Sequence, residues 1–190
     1  MNVYDFDNTI YNGESSLDFF LFCAGKNKKV IKYIFPVMIV LIKYKMCRIT
    51  PEELVLKGEQ YMGKFLSCLK SPETIINEFW DKHQHKIKDF YLKIKQPDDI
   101  IISASCNIIL EEICKRLGIK HLLASSIDFD NYKIKYLCYG ENKVSLFKKF
   151  FPDAVIDNFY SDSLNDLPMM KLAKKSYIVK GNKIRQYTKI

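Results

Sequence analysis

Two aspartates separated by one residue, Asp5 and Asp7, stand near the start of the chain in the segment Asp-Phe-Asp-Asn-Thr. Alternate residues of an extended chain point to the same side, so both carboxylates can converge on one ligand. Carboxylate oxygens bind hard cations such as Mg²⁺, and a carboxylate can also attack phosphorus as a nucleophile. Taken alone the pair is a weak motif, because turns and helix caps use the same residue types.

The tetrapeptide Asp-Phe-Asp-Asn occurs a second time at residues 128–131. Polar and apolar residues alternate after it, and Asp130-Asn131 favours a tight turn. This pattern predicts a surface hairpin. We interpret the second copy as a coincidence without chemistry.

Further polar residues lie where the chain pattern places the end of a strand or the start of a helix. They are Ser103, Lys143, Asp162 and Asp166. In parallel sheets ligands bind beyond the carboxyl ends of the strands. The four residues and the acidic pair are therefore expected to surround one pocket.

Each residue type in this set has a task in phosphoryl transfer. Carboxylates hold Mg²⁺, which neutralises phosphate charge. A lysine and a hydroxyl donate hydrogen bonds to the phosphoryl oxygens. A carboxylate nucleophile divides the displacement into two steps through an aspartyl phosphate. The residues thus predict a Mg²⁺-dependent enzyme acting on phosphate monoesters.

Elements that could position these residues follow from the hydrophobic pattern. Short apolar segments predict strands at residues 2–4, 100–102, 121–124, 154–156, 158–160 and 176–179. Residues 15–94 have a helical pattern without a strand signal, and helices alternate with the later strands. We predict an α/β fold with a Rossmann-like, doubly wound, mostly parallel sheet. We predict that residues 1–14 and 95–190 form its catalytic core and that residues 15–94 form an inserted helical cap. The very short first strand suggests a loosely built edge.

Local signals mark the helix ends. Thr50 with Glu53 has the pattern of a capping box around a proline at the first helical position, and Ser71-Pro72 is expected to start a helix in the same way. Gly25 and Gly118 are expected to end helices.

Composition restricts the cellular setting. The 190 residues are 48% hydrophobic and carry 30 Lys and Arg against 22 Asp and Glu, a net charge of +8. Six cysteines without a CxxC pair predict reduced thiols, and the early aspartates argue against a signal peptide. We expect a cytoplasmic protein whose basic patches attract phosphorylated small molecules or anionic lipid headgroups. Nucleic acid is not an expected partner, because no signature of nucleic-acid binding accompanies the charge.

Residues 33–42 form an uncharged apolar run between Lys32 and Lys43. A helix that spans a bilayer needs about 20 such residues, so this segment is too short. Two interpretations stay open: a buried helix of the cap, or an interfacial segment whose lysines contact an anionic membrane.

The ordered motifs resemble those of the haloacid dehalogenase superfamily of phosphohydrolases. They are the segment 5–9, Ser103, Lys143, and Asp162 with Asp166. The helical insertion is similar to the cap of the phosphoserine-phosphatase-like branch. Segments 138–144 and 160–168 also resemble bacterial phosphatidylglycerophosphate phosphatases of the C type, which carry an apolar, basic cap segment like residues 31–45.

The resemblance implies a role for each matching position. Asp5 would be the nucleophile, and Asp7 would protonate the leaving group and then activate water. Asp5, the main-chain carbonyl of Asp7, and Asp162 would hold Mg²⁺, with Asp166 orienting its waters. Ser103 and Lys143 would bind the phosphoryl group.

Two departures from the family pattern bear on these roles. Asn8 replaces a commoner glycine and is expected to stiffen the turn. The segment Ser103-Ala104-Ser105-Cys106 lacks glycines that often follow the serine in phosphoserine phosphatases, which weakens the expectation of that substrate. The alternatives are a lipid-phosphate phosphatase at the membrane surface, a phosphotransferase and a non-catalytic phosphate-binding module.

Overall fold

The computed structural model describes residues 1–46, 48–50, 53, 57, 61, 64–65, 68–69, 71–128 and 133–188. Seven strands form one sheet in the order β4-β3-β2-β1-β5-β6-β7. The strands are β1 Asn2–Tyr4, β2 Ile100–Cys106, β3 His121–Ile127, β4 Ile134–Tyr136, β5 Ile156–Ser161, β6 Ala173–Lys180 and β7 Lys183–Tyr187. All neighbours from β3 to β6 pair in parallel, and β4 and β7 join antiparallel at the two edges. The predicted α/β fold is confirmed.

Strand β1 is short but lies at the centre of the sheet. It pairs in parallel with β2 on one side and β5 on the other, and Val3 and Tyr4 have no exposed surface. The expectation of a loosely built edge is therefore wrong, because pairing on both sides compensates for the length of the strand.

The sheet separates two apolar clusters. Alternate strand residues point to opposite faces, so Val3 and Ile100 pack with Phe147 and Met169 on one face. On the other face Tyr4 packs in the larger cluster, which contains aromatic residues of the insertion. Burial on both faces explains why β2 begins with three consecutive isoleucines.

Helices connect the strands and cover both faces. They are α1 Ser15–Lys26, α2 Ile31–Lys45, α3 Pro72–His83, α4 Asp89–Ile94, α5 Asn107–Leu117, α6 Glu141–Phe150 and α7 Leu167–Met170. Of these, α1 to α4 lie between β1 and β2, and the described part of that stretch contains no strand. The division into a core and a cap at residues 15–94 stays a prediction.

The inserted helices pack onto α5 through aromatic side chains. Trp80 is fully buried, and its indole N–H donates to the carbonyl oxygen of Ile109 at 2.6 Å. Phe79 and Trp80 lie edge to face at 4.7 Å between ring centroids. At the surface, Arg116 of α5 bonds Asp81 of α3 at 2.8 Å. These contacts fix the insertion against one face of the sheet.

The helix-end predictions have mixed outcomes. Thr50 and Glu53 exchange the two hydrogen bonds of a capping box, at 3.1 and 3.2 Å, and Gly118 ends α5 with a left-handed φ of 72°. Gly25 lies inside α1, so the prediction that it ends this helix is wrong. Helix α3 begins at Pro72 as expected, but the Ser71 hydroxyl makes no capping bond. Its φ of 55° differs from the extended backbone of a capping residue.

Several strand predictions also changed. The two strands predicted at residues 154–156 and 158–160 correspond to one strand, β5, which begins at Ile156. Strand β7 was not predicted. Around the second tetrapeptide, β3 and β4 pair antiparallel, and the Asp128 N–H donates to Lys133 O at 2.7 Å. This agrees with the predicted hairpin, although residues 129–132 lie outside the described part of the chain.

Helix α2 has one buried and one exposed apolar face. Val37 and Val40 are buried. On the other face, apolar residues that are 43–72% exposed recur every three or four positions, at Ile31, Phe35, Ile39 and Ile42, and the series continues to Met46 just after the helix. The segment therefore buries one face in the protein, as the first interpretation expected, and leaves the other face exposed. Among the residues described, no helix is both long and apolar enough to cross a membrane.

Candidate functional site

The nucleophile candidate Asp5 follows directly after β1, at the carboxyl edge of the sheet. Its side chain is buried, and its Oδ1 accepts a hydrogen bond from Lys143 Nζ at 2.8 Å. Lys143 lies in the first turn of α6 and is itself 3% exposed. The same Nζ lies 2.8 Å from Asp166 Oδ1. The sheet thus brings three predicted residues from distant segments into one buried ionic group.

This ionic group has unusual electrostatics, because it contains two carboxylates and one ammonium away from water. Burial raises the pKa of Asp5, and the ammonium of Lys143 opposes that rise. The two carboxylates in turn raise the pKa of Lys143 and keep it protonated, although burial acts in the opposite direction. Lys143 is therefore a fixed positive charge beside Asp5.

Thr9 connects Asp5 to the segment containing Asp162. The Thr9 hydroxyl donates to Asp5 Oδ2 at 3.1 Å and accepts from the Asp162 main-chain N–H at 2.8 Å. Ser161, the residue before Asp162, donates to Asp166 Oδ2 at 2.8 Å. Neither hydroxyl was predicted as a site residue, although Thr9 lies inside the first motif.

Asp7 lies at the junction of the sheet and helix α1. Its Oδ1 accepts from the Ser15 main-chain N–H at 2.6 Å, and its Oδ2 accepts from the Ser105 hydroxyl at 2.5 Å. Burial raises the pKa of Asp7, and these two donors oppose the rise. Asp7 is thus held by the first turn of α1 and by β2.

Ser103 and Asp162 lie at the same edge, each with a different environment. Ser103 lies inside β2 and not just past its end as predicted, because the strand continues to Cys106. The buried Ser103 hydroxyl accepts from the Ser105 N–H at 3.1 Å, and Ser103 makes no direct side-chain bond to Asp5 or Lys143. Burial raises the pKa of Asp162, whose carboxylate accepts no hydrogen bond from the described residues. Among the described residues, no group of three or more His, Cys, Asp or Glu side chains is arranged to hold a metal ion.

The turn after Asp7 is supported by Lys88. Asn8 has a left-handed φ of 57°, which asparagine tolerates better than most residues, and its side chain donates to Glu14 at 3.0 Å. Lys88 Nζ donates to the Asn8 carbonyl at 2.5 Å and to the Gly181 carbonyl at 2.9 Å. Lys88 was not predicted, because nothing in its local sequence indicates these distant acceptors.

The site lies at the carboxyl edge of a Rossmann-like sheet and contains acidic, basic and hydroxyl side chains. Together with the helices inserted after the first strand, it defines an α/β enzyme class. The sequence matches the family model described as haloacid dehalogenase-like hydrolase over residues 3–171. The chain belongs to this family. No curated protein sequence matches it.

Solved structures with similar folds support the architecture. A Bordetella pertussis Tohama I protein of unknown function aligns with a TM-score of 0.74 and 16% identity, over 93% of this chain and 87% of that one. A phosphoserine phosphohydrolase-like protein from Francisella tularensis aligns with a TM-score of 0.58 and 18% identity, over 93% of this chain and 86% of that one. A substrate-bound phosphoserine phosphatase aligns with a TM-score of 0.51 and 18% identity, over 92% of this chain and 82% of that one. At these identities the similarity concerns the fold.

Replacing Thr9 by valine keeps the shape of the side chain but removes its hydroxyl. The Asp162 N–H and Asp5 Oδ2 each lose a buried partner, so the free energy of unfolding should fall by about 1–3 kcal/mol, measured by urea denaturation. Ser145→Ala, which removes a hydroxyl on exposed α6 surface, should change it by less than about 0.5 kcal/mol. Equal effects of the two substitutions would contradict the connecting role of Thr9.

Proposed function

We propose that the protein is a Mg²⁺-dependent phosphatase that hydrolyses a phosphate monoester through an aspartyl phosphate on Asp5. The observation that carries this proposal is the contact of Asp5 with Lys143 at 2.8 Å inside a buried site. A fixed ammonium beside a carboxylate nucleophile compensates the negative charge that a phosphoryl group brings. The family assignment and the phosphoserine phosphatase folds among its structural neighbours agree with it.

The proposed reaction has two steps. In the first, an Asp5 oxygen forms a bond to phosphorus while the ester P–O bond breaks, and Asp7 gives its proton to the leaving oxygen. In the second, the Asp7 carboxylate takes a proton from water as the water oxygen bonds phosphorus. The Asp5–phosphorus bond then breaks and releases inorganic phosphate. Ser103 and Lys143 donate hydrogen bonds to the phosphoryl oxygens.

The donors at this edge fit Mg²⁺. This ion binds through one or two carboxylates and keeps several waters, so it does not need a cluster of three acidic side chains. Asp5, Asp162 and the Asp7 carbonyl would hold it, and Asp166 would orient its waters. The Asp162 carboxylate, partly buried and without a hydrogen-bond donor among the described residues, is suited to a cation. When bound, Mg²⁺ supplies charge neutralisation for the phosphoryl group.

A screen of phosphate monoesters tests this function. We expect Mg²⁺-dependent release of phosphate from at least one of phosphoserine, sugar phosphates, nucleotides or phosphatidylglycerophosphate, and its loss in EDTA. Hydrolysis that persists without divalent metal would refute the metal assignment. Transfer of phosphate to an added alcohol in preference to water would favour a phosphotransferase. Binding of phosphate esters without turnover would favour a non-catalytic module.

A second candidate concerns the partner of the cap: we propose that the exposed face of α2 rests on an anionic membrane, where the substrate is a lipid phosphate. The supporting observation is the stripe from Ile31 to Met46 described above. No acidic residue occurs between Asp18 and Glu52, whereas the segment from Lys26 to Arg48 contains seven lysines and arginines. An apolar face with basic flanks matches the interface of an anionic bilayer. The protein would then act on the cytoplasmic surface of the membrane.

Vesicle sedimentation tests the membrane proposal. The double substitution Phe35→Asp and Ile39→Asp should reduce binding to phosphatidylglycerol vesicles by at least about 100-fold, because each side chain that the bilayer buries contributes about 1.5–3 kcal/mol. Phe150→Asp removes a similarly exposed aromatic residue on α6 and should leave binding nearly unchanged.

Two results would contradict this proposal. One is equal binding of the wild type to anionic and to neutral phosphatidylcholine vesicles, since charge would then play no part. The other is a vesicle-independent dimer in solution that the α2 double substitution dissociates. In that case a second copy of the chain covers the face.

A further inference from the structure

The hydroxyl of Ser105 lies within hydrogen-bonding distance of the acid/base candidate and of two cap serines. Its Oγ is 2.5 Å from Asp7 Oδ2, 3.2 Å from Ser15 Oγ and 2.9 Å from Ser16 Oγ. Ser105 belongs to β2, two residues after Ser103, whereas Ser15 and Ser16 form the start of α1. This hydroxyl cluster therefore joins the sheet to the first inserted helix at Asp7.

The stoichiometry of the cluster fixes the direction of each bond. A serine hydroxyl has one hydrogen to donate and two lone pairs to accept. An ionised Asp7 only accepts, so the Ser105 hydrogen points to Asp7. Both lone pairs of Ser105 then accept from Ser15 and Ser16. The Ser105 hydroxyl has no remaining freedom to rotate while these bonds hold.

We propose that Ser105, oriented by Ser15 and Ser16, is a positioning residue for Asp7 in proton transfer to the leaving group. The Ser15 N–H holds one Asp7 oxygen and the Ser105 hydroxyl holds the other. With one donor on each oxygen, the plane of the Asp7 carboxylate is fixed between α1 and β2. Because proton transfer needs that plane aligned with the leaving oxygen, the geometry of Asp7 depends on the start of the inserted helix.

This inference rests on the proposed phosphatase function, and a series of leaving groups separates the two. Dinitrophenyl phosphate has a leaving group that departs without a proton, nitrophenyl phosphate is intermediate, and phenyl phosphate needs protonation most. Loss of Asp7 alignment should therefore affect phenyl phosphate most. The quantity to measure is kcat/KM, because it covers the steps up to cleavage of the ester bond.

Ser105→Ala should lower kcat/KM for phenyl phosphate by about tenfold and for dinitrophenyl phosphate by about twofold, a fraction of what general acid catalysis contributes. Asp7→Asn should show the same selectivity with larger losses. Ser16→Ala, at a half-buried position, should show a weaker preference of the same kind, with the larger loss for phenyl phosphate. This variant provides the test if Ser105→Ala does not fold. Ser125→Ala is the matched control, because its buried hydroxyl bonds Ala104 O at 2.7 Å but does not touch Asp7. It should affect all three esters equally.

One outcome is that Asp7→Asn lowers kcat/KM most for phenyl phosphate, whereas Ser105→Ala and Ser16→Ala lower kcat/KM equally for all three esters. The positioning role of Ser105 is then overturned, and the phosphatase function stands. If Asp7→Asn itself shows no selectivity, Asp7 is not the acid and the positioning role fails with it. If the wild type hydrolyses none of the esters here or in the wider screen, the proposed function is overturned, and the inference with it.

Discussion

Asp5→Asn is expected to lower kcat for any monoester that the wild type hydrolyses by about 10³-fold or more. The amide cannot act as a nucleophile toward phosphorus, and the two-step route through an aspartyl phosphate closes. The substitution keeps the shape of the side chain and removes one of two buried carboxylates. Lys143 retains its 2.8 Å contact with Asp166, so the variant should fold. The measurement is phosphate release in steady state with circular dichroism as the check of folding.

The second tetrapeptide supplies a matched control for this prediction. Asp128 stands in the same Asp-Phe-Asp-Asn context as Asp5, but it lies at the end of β3, 3.4 Å from Lys135. Asp128→Asn should keep kcat within about twofold of the wild type. Residual turnover of Asp5→Asn above a few per cent would refute the nucleophile assignment. A large loss in Asp128→Asn would show that the two copies had been interpreted wrongly.

The ionic part of the candidate site was predictable because it depends on strand ends. Asp5 and Asp162 each directly follow a strand, and Ser103 follows the three isoleucines that begin β2. Parallel pairing places the carboxyl ends of such strands at one edge whatever the loops do. Lys143 was predictable for a related reason, since it lies in the first turn of a helix that follows Gly140. Its contacts with Asp5 and Asp166 agree with the expected single pocket.

Contacts made by serines and by one lysine could not be predicted in the same way. Ser105 bonds Asp7 only because β2 continues to Cys106, beyond the predicted strand, and brings residue 105 next to the start of α1. Lys88 supports the Asn8 turn across 80 positions of sequence. Serine and lysine are frequent surface residues, so composition alone gives no signal for such roles.

Errors in the element predictions have a similar origin. The signals at Gly25 and Ser71 are local, whereas helix ends are decided by the packing of the whole helix. Helix α1 continues through Gly25 to Lys26, and the Ser71 backbone is left-handed. Strand β7 was missed because four of its five residues are exposed and two are charged, and only its antiparallel pairing with β6 makes it a strand.

Lys143→Met is expected to have the largest combined effect on stability and activity. Methionine fills most of the volume of lysine but leaves Asp5 and Asp166 facing each other, buried and without a cation. Removing one partner from a buried ionic group costs about 3–5 kcal/mol of the free energy of unfolding. Activity should fall by about 10²-fold or more even where the variant is folded, because the phosphoryl group loses a charged donor. Urea denaturation and phosphate release measure the two effects.

An exposed lysine with the same contact distance is the control for burial. Lys174 Nζ lies 2.8 Å from Asp157, but both side chains are largely exposed. Lys174→Met should leave the free energy of unfolding and kcat nearly unchanged, because solvent screens this ion pair.

Combining Lys143→Met with Asp166→Asn tests whether charge, rather than packing, causes the loss of stability. If the unpaired carboxylates are responsible, removing one of them should recover about 1–3 kcal/mol of the free energy of unfolding, while activity stays low because the donor to phosphate is still absent. Recovery of stability without activity would separate the two roles of Lys143. Additive losses in the double variant would instead show that Lys143 contributes mainly through packing, and the electrostatic account of the site would be wrong.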